Sequence, residues 1–287
     1  MSRRYLSHSK KRVKTLAKYT YGGIMLKGGL CVMDWKKFLY NDNEQPLDSF
    51  VTGISNTAVF RTIGFIGDSL SSGEFESRNS EGKAGYHDLF EYSWGQYIAR
   101  KNGLKAYNFS KGGMTASEYI KNFADKMLYW ERARDCQAFV IALGVNDILN
   151  RGDELGSLSD IGDDSKETFA YYYSAIIERL KKIQPRAKFF FVTMPRSESV
   201  EGNAKKEKHA ELLYDFAKHY DNCYVIDLFR HAPVYDSAFK EKFYLYGHMN
   251  ASGYILTANM VDSYIDYIVR HNPDDFRRVA FIGTDLI

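Results

Sequence analysis

From residue 61 onward, short apolar runs alternate with helix-length amphipathic segments, and this alternation limits the fold more than any other feature of the chain. Thr62–Ile66, Leu104–Phe109, Ala138–Leu143, Lys188–Thr193 and Cys223–Leu228 read as strands. The third, AFVIAL, is apolar at nearly every position, as expected of a strand covered on both faces. Between the strands, Ser93–Lys101 reads as a helix stopped by Asn102-Gly103, and Ala116–Arg134 as a long helix. Asp164-Ser165-Lys166-Glu167 has the form of a capping box opening a helix through Ile183, with Pro185 just beyond it. Ala204–His219 and Ala251–His271 complete the set, with Asn250 placed to cap the last helix. Strands and helices of these lengths require right-handed crossovers, hence a five-stranded, mainly parallel sheet with helices on both faces.

The 287 residues suffice for one sizeable core. A 45% apolar and 26% charged composition is that of a globular protein, and a net charge of +3 does not by itself imply a nucleic-acid or acidic-membrane partner. Cys31, Cys136 and Cys223 are too far apart for a metal or disulfide framework, which favours a reducing compartment. The basic run at residues 1–18 reads as a solvated terminus, and the glycine-broken stretch after it as neither signal peptide nor membrane span. The expectation is a cytoplasmic protein. Residues 1–60 are expected to form an N-terminal extension packing on a main domain at 61–272, followed by a tail at 273–287. Val279–Gly283 in that tail is apolar and strand-like.

The chemistry-bearing residues fall where strands end. Gly67-Asp68-Ser69-Leu70 follows the first strand, and Asn108 to Thr115, with its Gly112-Gly113 pair, follows the second. Gly144-Val145-Asn146-Asp147 follows the third, and Gly247-His248-Met249-Asn250 precedes the last helix. A parallel sheet collects all these points on one edge, where open α/β sheets hold their ligands. The edge then carries a hydroxyl, a glycine amide, a side-chain amide and an imidazole. Acyl transfer needs these parts: a nucleophile, a base of suitable pKa, and N–H donors for the oxyanion.

On these four blocks the chain resembles the SGNH hydrolases, also called GDSL esterases and lipases. The resemblance covers about residues 61–271 and includes Asn250-Ala251-Ser252-Gly253-Tyr254 after the histidine. It implies a three-layer αβα, flavodoxin-like fold and ester hydrolysis that needs no metal or other cofactor. It also implies Ser69 as nucleophile, His248 as base, and an oxyanion hole from the Ser69 amide, the Gly113 amide and Asn146. One position departs from the pattern. The family usually places an aspartate three residues before the histidine, and here that residue is Leu245. Either a backbone carbonyl orients His248 or a carboxylate arrives from elsewhere, with Glu74 the first candidate and Glu76 and Glu241 behind it. The expected substrate is a small-molecule ester, with a small acyl group on a carbohydrate first among the choices by family analogy. Acyl transfer to another alcohol, and a decayed site that only binds sugar, stay open as alternatives. No nucleic-acid or membrane partner is expected, and a homo-oligomer is compatible with the sequence.

Overall fold

The strands anticipated above form one parallel sheet: β1 (Thr62–Gly67), β2 (Lys105–Asn108), β3 (Ala138–Ala142), β4 (Lys188–Val192) and β5 (Cys223–Ile226). A computed structural model describes residues 34–286. The basic run and Cys31 lie outside the described residues. The sheet order is β2-β1-β3-β4-β5, the flavodoxin-like arrangement. The chain first steps from β1 to one edge and then returns to build the other side. The carboxyl ends of β1 and β3, neighbours in register from Ile63↔Ala138 to Gly67↔Ala142, therefore flank a topological switch point.

Side chains alternate across a strand, and here that alternation divides the core in two. Phe139, Ile141, Phe189 and Phe191 point into one layer, against Tyr173 and Ile176 of α2 (Phe169–Ile183) and Phe216 of α3 (Val200–His219). Ile63, Phe65, Val140 and Phe190 point into the other. There they meet Trp94 and Ile98 of α1 (Trp94–Asn102) and Tyr254, Val261 and Ile265 of α4 (Ala251–His271). Helix ends follow local chemistry. Ser93 caps α1, Gly103 ends it at φ 66°, and Asn250 caps α4 by accepting from the Gly253 amide at 2.9 Å.

Residues 43–60 lie along α4. The Val51 amide donates to Ser263 Oγ at 3.0 Å, Ser55 Oγ donates to Asp262 at 2.6 Å, and the Asn56 amide donates to Asp266 at 2.8 Å. Residues 34–42 contain a single helical turn, Trp35–Phe38, capped by Asp34.

Four expectations need correction. Ala116–Arg134 is not one helix: a wide π-helical turn occupies Tyr119–Phe123, and the chain breaks at Leu128, φ 56°. The break lets Tyr119, Phe123, Tyr129 and Trp130 all bury on one side. Asp164–Glu167 does not open α2, because Thr168 caps it by accepting from the Tyr171 amide at 3.2 Å. Asp163 instead accepts from the Ser165 amide and hydroxyl in a local turn. The third helix begins at Val200, four residues earlier than the sequence suggests, because Ser199 caps it. Val279–Phe281 is a short 3₁₀ turn and not a strand; Gln137 holds it by donating to the Val279 carbonyl at 3.0 Å.

Candidate active site

Ser69 sits at the start of a four-residue helix, Ser69–Ser72, directly after β1. Asp68 caps that helix by accepting from the Leu70 amide at 3.0 Å. Gly67 is required here by close approach: a Cβ would lie 2.2 Å from Ser71 Oγ and 2.9 Å from the Ala142 carbonyl. The turn is thus folded tightly onto the β1–β3 edge, and it leaves Ser69 half-exposed at the top.

The glycine loop and the Asn146 segment are tied to each other. Asn146 lies in a wide helical turn, Val145–Arg151, after Gly144, whose φ of 130° favours glycine. Its Nδ2 donates to the Met114 carbonyl at 3.1 Å, and Asn150 donates to its Oδ1 at 2.8 Å. The neighbouring Asp147 accepts from the Ala116 amide at 2.8 Å. Gly113, at φ 73°, therefore stands in a loop pinned on its far side by two bonds to the β3 turn. Beneath the site lie two buried carboxyls. Burial pushes Asp68 up to about 7, with the charge of Asp147 adding to it, and pushes Asp147 up to about 6.

His248 is brought in by α4. It pairs with Leu245 in a two-strand ribbon, Tyr244–Leu245 against His248–Met249, just before the Asn250 cap. Two carboxylates flank the imidazole. Glu74 Oε1 lies 3.0 Å from Nε2, and Glu76 Oε2 lies 3.5 Å from Nδ1. Both come from an antiparallel ribbon, Glu74–Arg78 with Ala84–Asp88. Tyr254 Oη donates to the Glu74 carbonyl at 2.6 Å, which fixes the ribbon to α4. Glu241 stands apart, exposed and ion-paired only with Lys242 among the described residues.

Ser69, Gly113, Asn146, Glu74 and His248 line one open cavity of about 780 Å³. Tyr86 and Tyr246, 59% and 56% exposed, stand at its rim with Asn150 and Lys240. Tyr86 also meets the imidazole edge to face, with centroids 5.7 Å apart. Among the described residues the Ser69 hydroxyl makes no hydrogen bond to His248. A second, apolar hollow of about 80 Å³ adjoins the nucleophile turn, lined by Leu70, Trp94, Val145, Met194 and Tyr235 among others. Among the described residues no cluster of three or more His, Cys, Asp or Glu side chains could hold a metal ion. None of their helices is long and apolar enough to cross a membrane.

The fold and cavity define a flavodoxin-like α/β protein with serine, glycine, asparagine and histidine gathered at the switch point of its sheet. The chain belongs to the GDSL-like lipase/acylhydrolase family, whose match runs over residues 65–256. That membership places it among enzymes acting on esters. Its fold is similar to a family two carbohydrate esterase from Clostridium thermocellum solved with cellohexaose, at 16% identity and TM-score 0.53. The likeness covers 77% of this chain and 66% of that one. A family 2 carbohydrate esterase with a carbohydrate-binding domain from Corynascus thermopiles is similar at 17% identity and TM-score 0.50, over 74% and 67% of the two chains. No curated protein matches in sequence.

Proposed function

We propose that the protein is a serine esterase that cleaves short-chain acyl esters through an acyl-enzyme on Ser69. The observation that carries this reading is the shared cavity: Ser69, Gly113, Asn146 and His248, from four separate segments, face one space. His248 takes the Ser69 proton as the hydroxyl oxygen attacks the ester carbonyl. The Ser69 and Gly113 amides and Asn146 Nδ2 hold the oxyanion. His248 then returns the proton to the leaving alcohol, and water repeats the cycle on the acyl-enzyme. Asn146 spends one Nδ2 hydrogen on Met114 and keeps the other for the substrate.

The two hollows divide the substrate. A water needs about 10–15 Å³ of such space, so the apolar hollow takes on the order of half a dozen heavy atoms, enough for a short acyl chain. The larger cavity, with exposed Tyr86 and Tyr246 beside Asn150 and Lys240, suits a polar leaving group with faces to stack on, such as a sugar.

The test is Ser69→Ala assayed on p-nitrophenyl acetate and on an acetylated sugar, together with fluorophosphonate labelling of the wild type. The variant should lose nearly all turnover, and the label should sit on Ser69. Asn146→Ala should lose about 10²–10³ in kcat. Hydrolysis that survives Ser69→Ala would refute the reading. Added alcohols that divert the acyl group from water would make the protein a transferase on the same site.

A further inference from the structure

We infer that Glu76 is the positioning residue of His248, supplied by the Glu74–Asp88 ribbon where the local sequence offers only Leu245. The inference rests on the catalytic reading above. Nδ1 of His248 is buried, has no hydrogen-bond partner among the described residues, and lies 3.5 Å from Glu76 Oε2. A shift of a few tenths of an ångström closes that gap to a hydrogen bond. The Glu76 carboxylate is buried and held at both oxygens. The Gly247 amide donates to Oε2 at 2.8 Å, Arg78 reaches Oε1 at 2.5 Å, and the side chain is 5% exposed. Because Gly247 directly precedes His248, the carboxylate is fixed to the same backbone that carries the imidazole. The Gly247 amide and the Arg78 charge also hold Glu76 below the usual carboxylate range, so it stays ionised.

Glu74 occupies the opposite side. It lines the cavity, approaches Nε2, and its Oε2 lies over Gly112, where a Cβ would come within 2.0 Å. Its carboxyl is pushed up by burial, against the pull of His248. Nε2 is therefore the nitrogen open to the cavity, and Glu74 is the partner it leaves when substrate enters. The proton balance follows. Nδ1 keeps its hydrogen toward Glu76, Nε2 receives the proton of Ser69, and the resulting imidazolium faces an ionised Glu76 that never takes the proton itself. That is the work an aspartate at position 245 would do, delivered from a different element.

The experiment compares Glu76→Gln, Glu76→Asp and the double variant Glu76→Gln with Leu245→Asp, using p-nitrophenyl acetate. Glu76→Gln is expected to lower kcat by about 10²–10⁴ with KM little changed, since an amide stabilises the wrong tautomer. The acid limb of its kcat/KM profile should move to lower pH, because the imidazolium has lost a neighbouring anion. Glu76→Asp keeps the charge and should lose less. Leu245 is the cross-strand neighbour of His248, so an aspartate there should restore at least a tenfold part of the loss. Unchanged kcat and pH profile in Glu76→Gln, with Ser69→Ala inactive, would overturn this inference and leave the esterase reading standing. Turnover surviving in Ser69→Ala would remove the reading first. If Glu76→Gln does not fold, the downfield N–H proton resonance of protonated His248 decides the matter. It should persist in Glu74→Gln, and its loss there would assign the orienting role to Glu74 instead.

Discussion

At the scale of single residues, the position of Asn146 depends on a glycine two places before it. Gly144 adopts φ 130°, and a Cβ there would lie 2.6 Å from Nε2 of the fully buried His209, which itself contacts the Leu143 carbonyl at 3.2 Å. Gly144→Ala therefore combines a disfavoured backbone angle with a clash that no flexible chain end can relieve. It should cost about 2–4 kcal/mol by denaturant unfolding, and any folded fraction should show lower kcat as the Asn146 amide shifts. Asp68 gives a second single-residue effect, on pH dependence. Its folded pKa is raised from an ordinary 3.8 to about 7, so between these values the folded state binds more protons than the unfolded state. Stability from this group is complete below about pH 4 and is lost as pH rises toward and through 7. Asp68→Asn keeps a cap for the Ser69 helix but removes that titration. Relative to the wild type, the variant should gain stability steadily from pH 4 to pH 8 in urea melts. A difference that stays flat with pH would count against a buried, titrating Asp68.

At the scale of elements, helix α4 organises the molecule from beneath. It carries His248 at its entrance, anchors the glutamate ribbon through Tyr254, and holds residues 43–60 through Ser263, Asp262 and Asp266. Asp262 is the busiest point. Ser55 Oγ and Asn102 Nδ2 donate to its Oδ1 at 2.6 and 2.8 Å, and Lys101 Nζ lies 2.8 Å from Oδ2. Asp262→Ala strips a buried carboxylate from three polar partners and should cost about 3–5 kcal/mol by thermal or chemical unfolding. Elements also mark how far sequence reasoning reaches. Strand positions and the Ser93, Gly103 and Asn250 helix ends were legible, because apolar period and capping chemistry are local. The ribbon carrying Glu74 and Glu76 was not, although Glu-Phe-Glu-Ser-Arg alternates and Asn79 to Gly82 forms its turn. Its charged residues give no apolar strand signal, and the packing of Phe75 against Tyr92 and Tyr254 shows what holds it as a strand. The break at Leu128 was equally hidden, since it serves the mutual packing of Tyr119, Phe123, Tyr129 and Trp130 on either side of it, which no local propensity signals.

At the scale of the whole molecule, the sheet order explains why distant residues meet, and it also shapes what they could accept. Reversal of strand order between β1 and β3 opens the crevice holding Ser69, while the ends of β3 and β4 with helix α4 enclose the apolar hollow beside it. The sequence puts Ser69, Gly113, Asn146 and His248 at element ends that topology sends to this edge, and all four line one cavity. The apolar hollow could not be anticipated, since Met194, Tyr235 and Val261 belong to segments with no motif and converge only through packing. The hollow sets the last expectation. If it holds the acyl chain, kcat/KM on p-nitrophenyl esters should be highest for chains of about two to four carbons and fall as added methylenes exceed the enclosed space. Met194, 5% exposed in that wall, is the residue to shorten. Met194→Ala should cost about 2–4 kcal/mol of stability and move the optimum toward longer acyl chains without lowering activity on the leaving-group side. An optimum unmoved by Met194→Ala, with the variant folded, would mean that the acyl group lies in the larger cavity among the tyrosines.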